Sequence, residues 1–240
     1  MSRKKYLFTF KTKKIQVVLD KILLLRLMRK LNGRFWGIYG LLGLYLSLAL
    51  CFWLTPELRD LSTAFSDFGT TVETSVYFSA GLFVAAYGLW RWRIYLTKSS
   101  KNPELITFAI TLIILGLYMV AFLPLNISDT TDFLHYLGFA IVGAGMVFTV
   151  VVDSLLRRTR KSSKQPWWKF VRGVSLLLIV AGFVITLLSS ERMSTILEVA
   201  LVGESMILIG FSTWLLARTY QGEGVQTGFS RALNRVISVQ

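Results

Sequence analysis

The sequence is poor both in residues that usually carry chemistry and in residues that wet a protein surface. Its 240 residues hold one cysteine and one histidine. Cys51 alone allows no disulfide within the chain, and His135 alone cannot build a multi-histidine zinc site or ligate a haem from both faces. No metal and no cofactor is therefore expected. Charged residues make up 17%, against roughly a quarter in soluble domains. Prolines number four, and Pro56, Pro103, Pro124 and Pro166 all fall at the ends of apolar runs or between them. No phosphate-binding loop, dinucleotide fingerprint, serine nucleophile elbow or heptad run occurs, so enzymatic activity is not expected.

What the sequence has instead is apolar length. Hydrophobic residues reach 54%, with a mean hydropathy of +0.57. A hydrocarbon core of ~30 Å needs about 20 apolar residues in a helix. Six stretches meet that length: 35–54, 73–96, 105–125, 133–156, 171–189 and 196–218. No proline interrupts their interiors, so backbone hydrogen bonds can close within each segment, as lipid demands. The expected fold is all-α, a polytopic membrane protein with a six-helix transmembrane bundle over 35–218. A basic interfacial segment, 1–34, precedes it and a tail, 219–240, follows.

The charge distribution orients that bundle. Lysines and arginines exceed acids by 27 to 13, and 25 of the 27 fall in 1–34, the second-to-third connection, the fourth-to-fifth connection or the C-terminal end. Only Arg59 and Arg192 lie on the other side, among Glu57, Asp60, Asp67, Asp129, Asp132 and Glu191. By the positive-inside rule both termini are expected in the cytoplasm, in a multi-pass protein of the inner (cytoplasmic) membrane. Trp36, Trp90, Trp92, Trp167, Trp168 and Trp214 near one boundary and Trp53 near the other fit interfacial aromatic belts. The short basic flanks beside spans suit anionic lipid head groups, and nucleic acid is not an expected partner. Within 1–34, KKIQVVLDKILLLRLMRKL sets Arg26 and Lys30 among leucines, an imperfect amphipathic helix. Such a segment can lie at the interface with snorkelling cations or, like the tail, dock a protein partner. Leu48-Ala49-Leu50-Cys51 approximates a lipoprotein cleavage pattern, but Leu50 stands where a small residue is required.

Ionisable groups inside a bilayer are costly and mark candidate sites. His135, Asp153, Glu198 and Glu204 qualify. In the fourth span His135, Gly138, Val142, Gly145, Thr149 and Asp153 recur at steps of three and four, so Gly138, Gly145, Thr149 and Asp153 form a small, polar helix-packing face. At a rise of 1.5 Å per residue Asp153 lies about 27 Å along the helix from His135, and Glu204 about 9 Å deeper than Glu198. Contact between His135 and Glu198 is geometrically possible, and Ser75, Tyr77, Ser79 and Tyr118 are candidate polar partners for Glu204. Two readings follow. The groups hydrogen-bond across helices and fix packing, or His135, Glu198 and Glu204 form a ligand or proton site opening outward under a loop that carries Asp67.

Three stretches resemble a known family: LSTAFSDFGTTVETSVYFSAGLFVAA from Leu61, AFLPLNISDTTDFLHYLGFAIVGAG from Ala121 and VGESMILIGFSTWLLA from Val202. They are similar to the prokaryotic membrane proteins catalogued as domain of unknown function 998, distantly like the DRAM and Sfk-type six-helix proteins. The resemblance assigns family positions to Ser66, Gly69, Pro124, His135, Glu204 and Trp214. Leu123 and Ser205 depart from the family's frequent phenylalanine and arginine, and Ser205 removes a cationic neighbour for Glu204. The resemblance implies an architecture, and relatives suggest lipid or membrane-organisation roles. The expected function is a non-enzymatic, lipid-interacting or accessory membrane component. Alternatives are a small-solute or proton-coupled carrier using His135 and Glu204, and a subunit of a larger membrane assembly recruited through 1–34 or 219–240.

Overall fold

The computed structural model describes residues 33–58, 60, 62–99, 103–157, 166–189 and 199–220. The expected interfacial helix within 1–34, most of the tail, and Glu198 lie outside the described residues. Among those described, the chain is all-α and contains no strand. Its helices are α1 (Gly33–Leu54), α2 (Ser75–Ser99), α3 (Glu104–Phe122), α4 (Asp129–Arg157), α5 (Pro166–Ser189) and α6 (Ala200–Tyr220). Two short 3-10 turns, Pro56–Leu58 and Phe65–Gly69, link α1 to α2.

All helices but α2 are long and apolar enough to cross a membrane, which makes the chain a polytopic helical membrane protein. The 25 residues of α2 are length enough, but Tyr77, Ser79, Tyr87, Trp90, Arg91 and Trp92 lower its hydropathy. Helix starts follow local chemistry. The α4 helix begins four residues before its apolar run because Ser128 Oγ accepts the Thr131 N–H at 3.2 Å, and Asp129 and Asp132 occupy the first turn, where the helix dipole favours carboxylates. Pro166 opens α5 at the position where a missing N–H costs nothing.

Successive helices pack through glycine crossings. A Cβ on Gly88 would meet Gly40 Cα at 2.6 Å, one on Gly116 would meet Gly138 O at 2.6 Å, and one on Gly203 would meet Gly182 O at 2.7 Å. The α1/α2, α3/α4 and α5/α6 hairpins therefore each hinge on backbone approaching backbone, the route to tight association where no hydrophobic force drives helices together. The α2 helix also packs on α3, and α4 on α5. The ring closes where Tyr45 of α1 shares a hydrogen bond with Ser212 of α6 at 3.1 Å and Arg34 Nε–H donates to the Thr219 carbonyl. Because α4 touches α6 directly, α5 lies outside the inner ring, with only 22% of its apolar stretch buried.

The tryptophans divide in a way that corrects the belt expectation. Trp53, Trp90 and Trp167 are exposed, as interfacial residues should be, but Trp92, Trp168 and Trp214 are buried to 1% exposure or less. Trp92 and Trp214 meet edge to face, 5.8 Å between centroids, as core packing. Tryptophan near a span end satisfies a belt and a bundle end equally well, and only the packing separates the two.

Candidate functional site beneath the Phe65–Gly69 turn

A cavity of about 100 Å³ sits inside the ring, partly open, and draws its wall from every helix except α5. Its body is apolar: Leu44 and Leu48 from α1, Phe78 and Leu82 from α2, Leu117 and Val120 from α3, Phe139, Val142 and Met146 from α4, Ile207 and Leu208 from α6. Among the described residues its polar lining is Ser66, His135 and Glu204, with no lysine or arginine.

The turn that carries Ser66 covers this polar pole. Asp67 Oδ2 accepts the Ala64 N–H at 2.8 Å, turning its carboxylate back onto the start of the turn. Phe68 is fully buried and meets Phe52 edge to face at 4.8 Å, and Thr74 Oγ1 donates to the Phe68 carbonyl at 2.7 Å. An aromatic wedge and a hydroxyl thus tie the turn down between α1 and α2. Glu204 of α6 ties it from the other side, its Oε2 accepting the Phe65 N–H. The side-chain partners anticipated for Glu204 are replaced by this backbone donor, and Ser79 instead donates to the Ala121 carbonyl at 3.2 Å.

His135 is fixed from the connection between α3 and α4. Nδ1 lies 2.6 Å from the Leu123 carbonyl, and since a carbonyl only accepts, Nδ1 carries the proton. In the neutral ring Nε2 is then an acceptor, the tautomer being set by its partner. The connection is held by Asn126, whose left-handed φ of 66° an asparagine tolerates and whose N–H bonds Asp132 Oδ1 at 2.8 Å. Asp67 lies within electrostatic range of both His135 and Glu204. The structure therefore brings two of the sequence candidates, His135 and Glu204, to the wall of one cavity, with Asp67 in the turn nearby.

The other face residues of α4 run away from it. Gly138 and Gly145 sit against α3, where a Cβ would meet Met119 Cβ at 2.8 Å and Ile113 Cγ1 at 2.8 Å respectively. Thr149 turns its hydroxyl onto the Gly145 carbonyl, 2.7 Å away in its own helix. Asp153, 2% exposed, closes the far end of the bundle: Arg218 Nε lies 3.2 Å from Oδ1, and Trp214 Nε1–H donates to Oδ2 at 3.4 Å. Sequence reading counted Arg218 as a cytoplasmic flank and missed this pairing. The signal was present, since Glu204, Ile207, Phe211, Trp214 and Arg218 recur at steps of three and four on one face of α6.

The fold and this geometry define a class, an integral membrane protein whose helices enclose an apolar cavity with one polar, turn-covered pole. Within that class the chain belongs to the family described as protein of unknown function (DUF998), whose profile matches residues 38–217. No curated protein and no solved structure matches the chain, and the distant likeness to DRAM and Sfk-type proteins finds no support. Of the six positions the resemblance assigned, Ser66, His135 and Glu204 line the cavity, Gly69 ends the turn above it, and Pro124 adjoins the Leu123 carbonyl that holds His135.

Proposed function

We propose that this protein is a non-enzymatic, lipid-interacting component of the cytoplasmic membrane that takes an amphiphilic molecule into its central cavity. The cavity carries the reading: an apolar body with hydrogen-bonding groups gathered at one end complements a molecule with an apolar chain and a polar head. Six spans with both termini in the cytoplasm, the orientation favoured by the lysine and arginine distribution, put the polar pole at the outer leaflet and the Asp153–Arg218 end at the inner one. Basic inner flanks, with Arg91 over the Trp36 ring at 5.3 Å, support contact with anionic head groups.

The carrier alternative uses the same His135 and Glu204 but needs a path to the opposite face. There the packed Trp92–Trp214 pair and the Asp153–Arg218 contact oppose it. A third role, as a subunit of a larger assembly, would act through 1–34 or 219–240; deleting 1–32 should then release co-purifying proteins, and retention of all of them would end that idea.

The main reading is tested by native mass spectrometry of the full chain extracted in mild detergent. Wild type should retain an amphiphile that Met146→Trp, which fills the cavity, loses while keeping its thermal unfolding profile within a few degrees. Equal retention by both proteins contradicts the reading. Reporter fusions at each terminus check orientation, and an external location for either would reverse the assignment of the poles.

A further inference from the structure

We infer that the polar pole selects amphiphiles by their head group and prefers a primary amine over a carboxylate or phosphate. The inference rests on the amphiphile-binding reading and adds the chemical class. Its basis is the sign and the unused capacity of the groups at the pole.

Glu204 is 8% exposed, and only one of its carboxyl oxygens, Oε2, is engaged, by the Phe65 N–H. Oε1 has no hydrogen-bond partner among the described residues, though its residue lines the cavity. His135 is 2% exposed and spends Nδ1–H on the Leu123 carbonyl, which leaves Nε2, also without such a partner, as an acceptor. Ser66 adds a hydroxyl, and Asp67, already engaged by the Ala64 N–H, lies within electrostatic range of both residues. The pole thus offers acceptors, and no lysine or arginine stands on the wall among the described residues.

Buried polar groups must be satisfied and buried charges paired. An incoming ammonium supplies three donors and one positive charge, enough to engage Oε1, Nε2 and the Ser66 oxygen together. Should the carboxyl arrive protonated, it can pass that proton to a neutral amine and form the same pair. A carboxylate or phosphate head would instead bring negative charge and further acceptors against the Glu204 carboxyl and His135 Nε2, and an alcohol would satisfy hydrogen bonds without the charge. Charge-assisted hydrogen bonds exceed neutral ones by enough to give about a tenfold preference or more.

The test uses the full chain in nanodiscs and a photoreactive alkyl diazirine alcohol, with labelled peptides mapped by mass spectrometry. Labelling of α4 around Phe139–Met146 and α6 around Ile207 reports occupation of the cavity. n-Octylamine, n-octanol and octanoate then compete with the probe. Octylamine should displace it at a concentration about tenfold or more below octanoate, with octanol between. Glu204→Gln should shrink the amine-to-carboxylate ratio to about threefold or less and leave octanol competition unchanged. Asp67→Asn keeps the acceptor that caps the turn while removing charge, and should lower the ratio part of the way even if Glu204→Gln fails to fold. Octanoate competing as well as octylamine, or a ratio that survives both substitutions, overturns the head-group assignment while the amphiphile reading stands. Absence of any labelling in the cavity overturns both.

Discussion

The contact between Asp153 and Arg218 should respond asymmetrically to removal of its two partners. Asp153 is 2% exposed, whereas the Arg218 side chain is 15% exposed and sits in the last turn of α6, within reach of the bundle end. Arg218→Met takes the guanidinium away from a carboxylate that cannot reach water, and breaking a buried pair from that side costs about 3–5 kcal/mol. Asp153→Asn leaves a cation that can swing its long stem outward, and the amide keeps an oxygen for Trp214 Nε1–H, so about 1–2 kcal/mol is expected. Combining the two substitutions removes both charges, and the double variant should recover to within about 1–2 kcal/mol of wild type. At ~2–4 °C per kcal/mol for a chain of this size, Arg218→Met should lower Tm by roughly 6–20 °C and Asp153→Asn by roughly 2–8 °C. Thermal unfolding of the full chain in one detergent, followed by tryptophan emission, measures all four proteins. Equal losses for the single variants, or additivity within ~0.5 kcal/mol, would refute the reasoning, because independent sites add and a real pair does not.

Three further outcomes follow from the packing. Gly173→Ala has nothing within 4 Å of the added methyl and should gain up to ~1 kcal/mol from helix propensity, whereas Gly182→Ala in the same helix meets Ile207 N at 2.9 Å and should lose about 1–3 kcal/mol relative to it; matched melting curves of the two would contradict the glycine crossing. Cys51 is fully buried, so a maleimide should label the folded chain at most slowly and the SDS-denatured chain completely, and rapid labelling in mild detergent would argue against the packed end of α1. His135→Gln keeps an N–H donor for the Leu123 carbonyl and should melt within about 1 kcal/mol of wild type, whereas His135→Leu leaves that carbonyl unsatisfied and should cost about 1–3 kcal/mol; equal melting would remove His135 from the α3–α4 connection.

The helices were legible because the requirement of lipid on a span is severe: about 20 apolar residues without an internal proline leaves little else to form. Their starts were less so. The apolar run of α4 opens at 133, but the helix opens at Asp129, because a serine cap and two carboxylates extend it beyond what hydropathy registers. At the candidate site the side chains were findable and their partners were not. His135 and Glu204 stand out as ionisable residues in apolar surroundings, yet their observed partners are the Leu123 carbonyl and the Phe65 N–H, main-chain groups that every residue carries. The part played by the Phe65–Gly69 turn was invisible for the same reason, apart from Asp67. Arg218 was misread because charge at a span end satisfies the positive-inside rule whether or not it also turns inward.

The two ends of the bundle use opposite means of satisfying buried polarity, and that difference bears on function. At the Asp153 end a carboxylate meets a guanidinium and an indole N–H, and aromatic rings close around them. At the other end two ionisable side chains are each engaged through one atom to main chain, and both residues line a cavity. Buried groups go unmet at the Asp153 end too, where Trp92 Nε1 and Thr219 Oγ1 have no hydrogen-bond partner among the described residues, so what sets the other end apart is that its ionisable residues line a cavity. On the amphiphile-binding proposal, the open atoms of His135 and Glu204 are the ones that would meet a polar head. On the same proposal the closed end favours binding over passage: a molecule entering beneath the turn would meet tryptophan packing and a paired charge, and crossing would require both to separate.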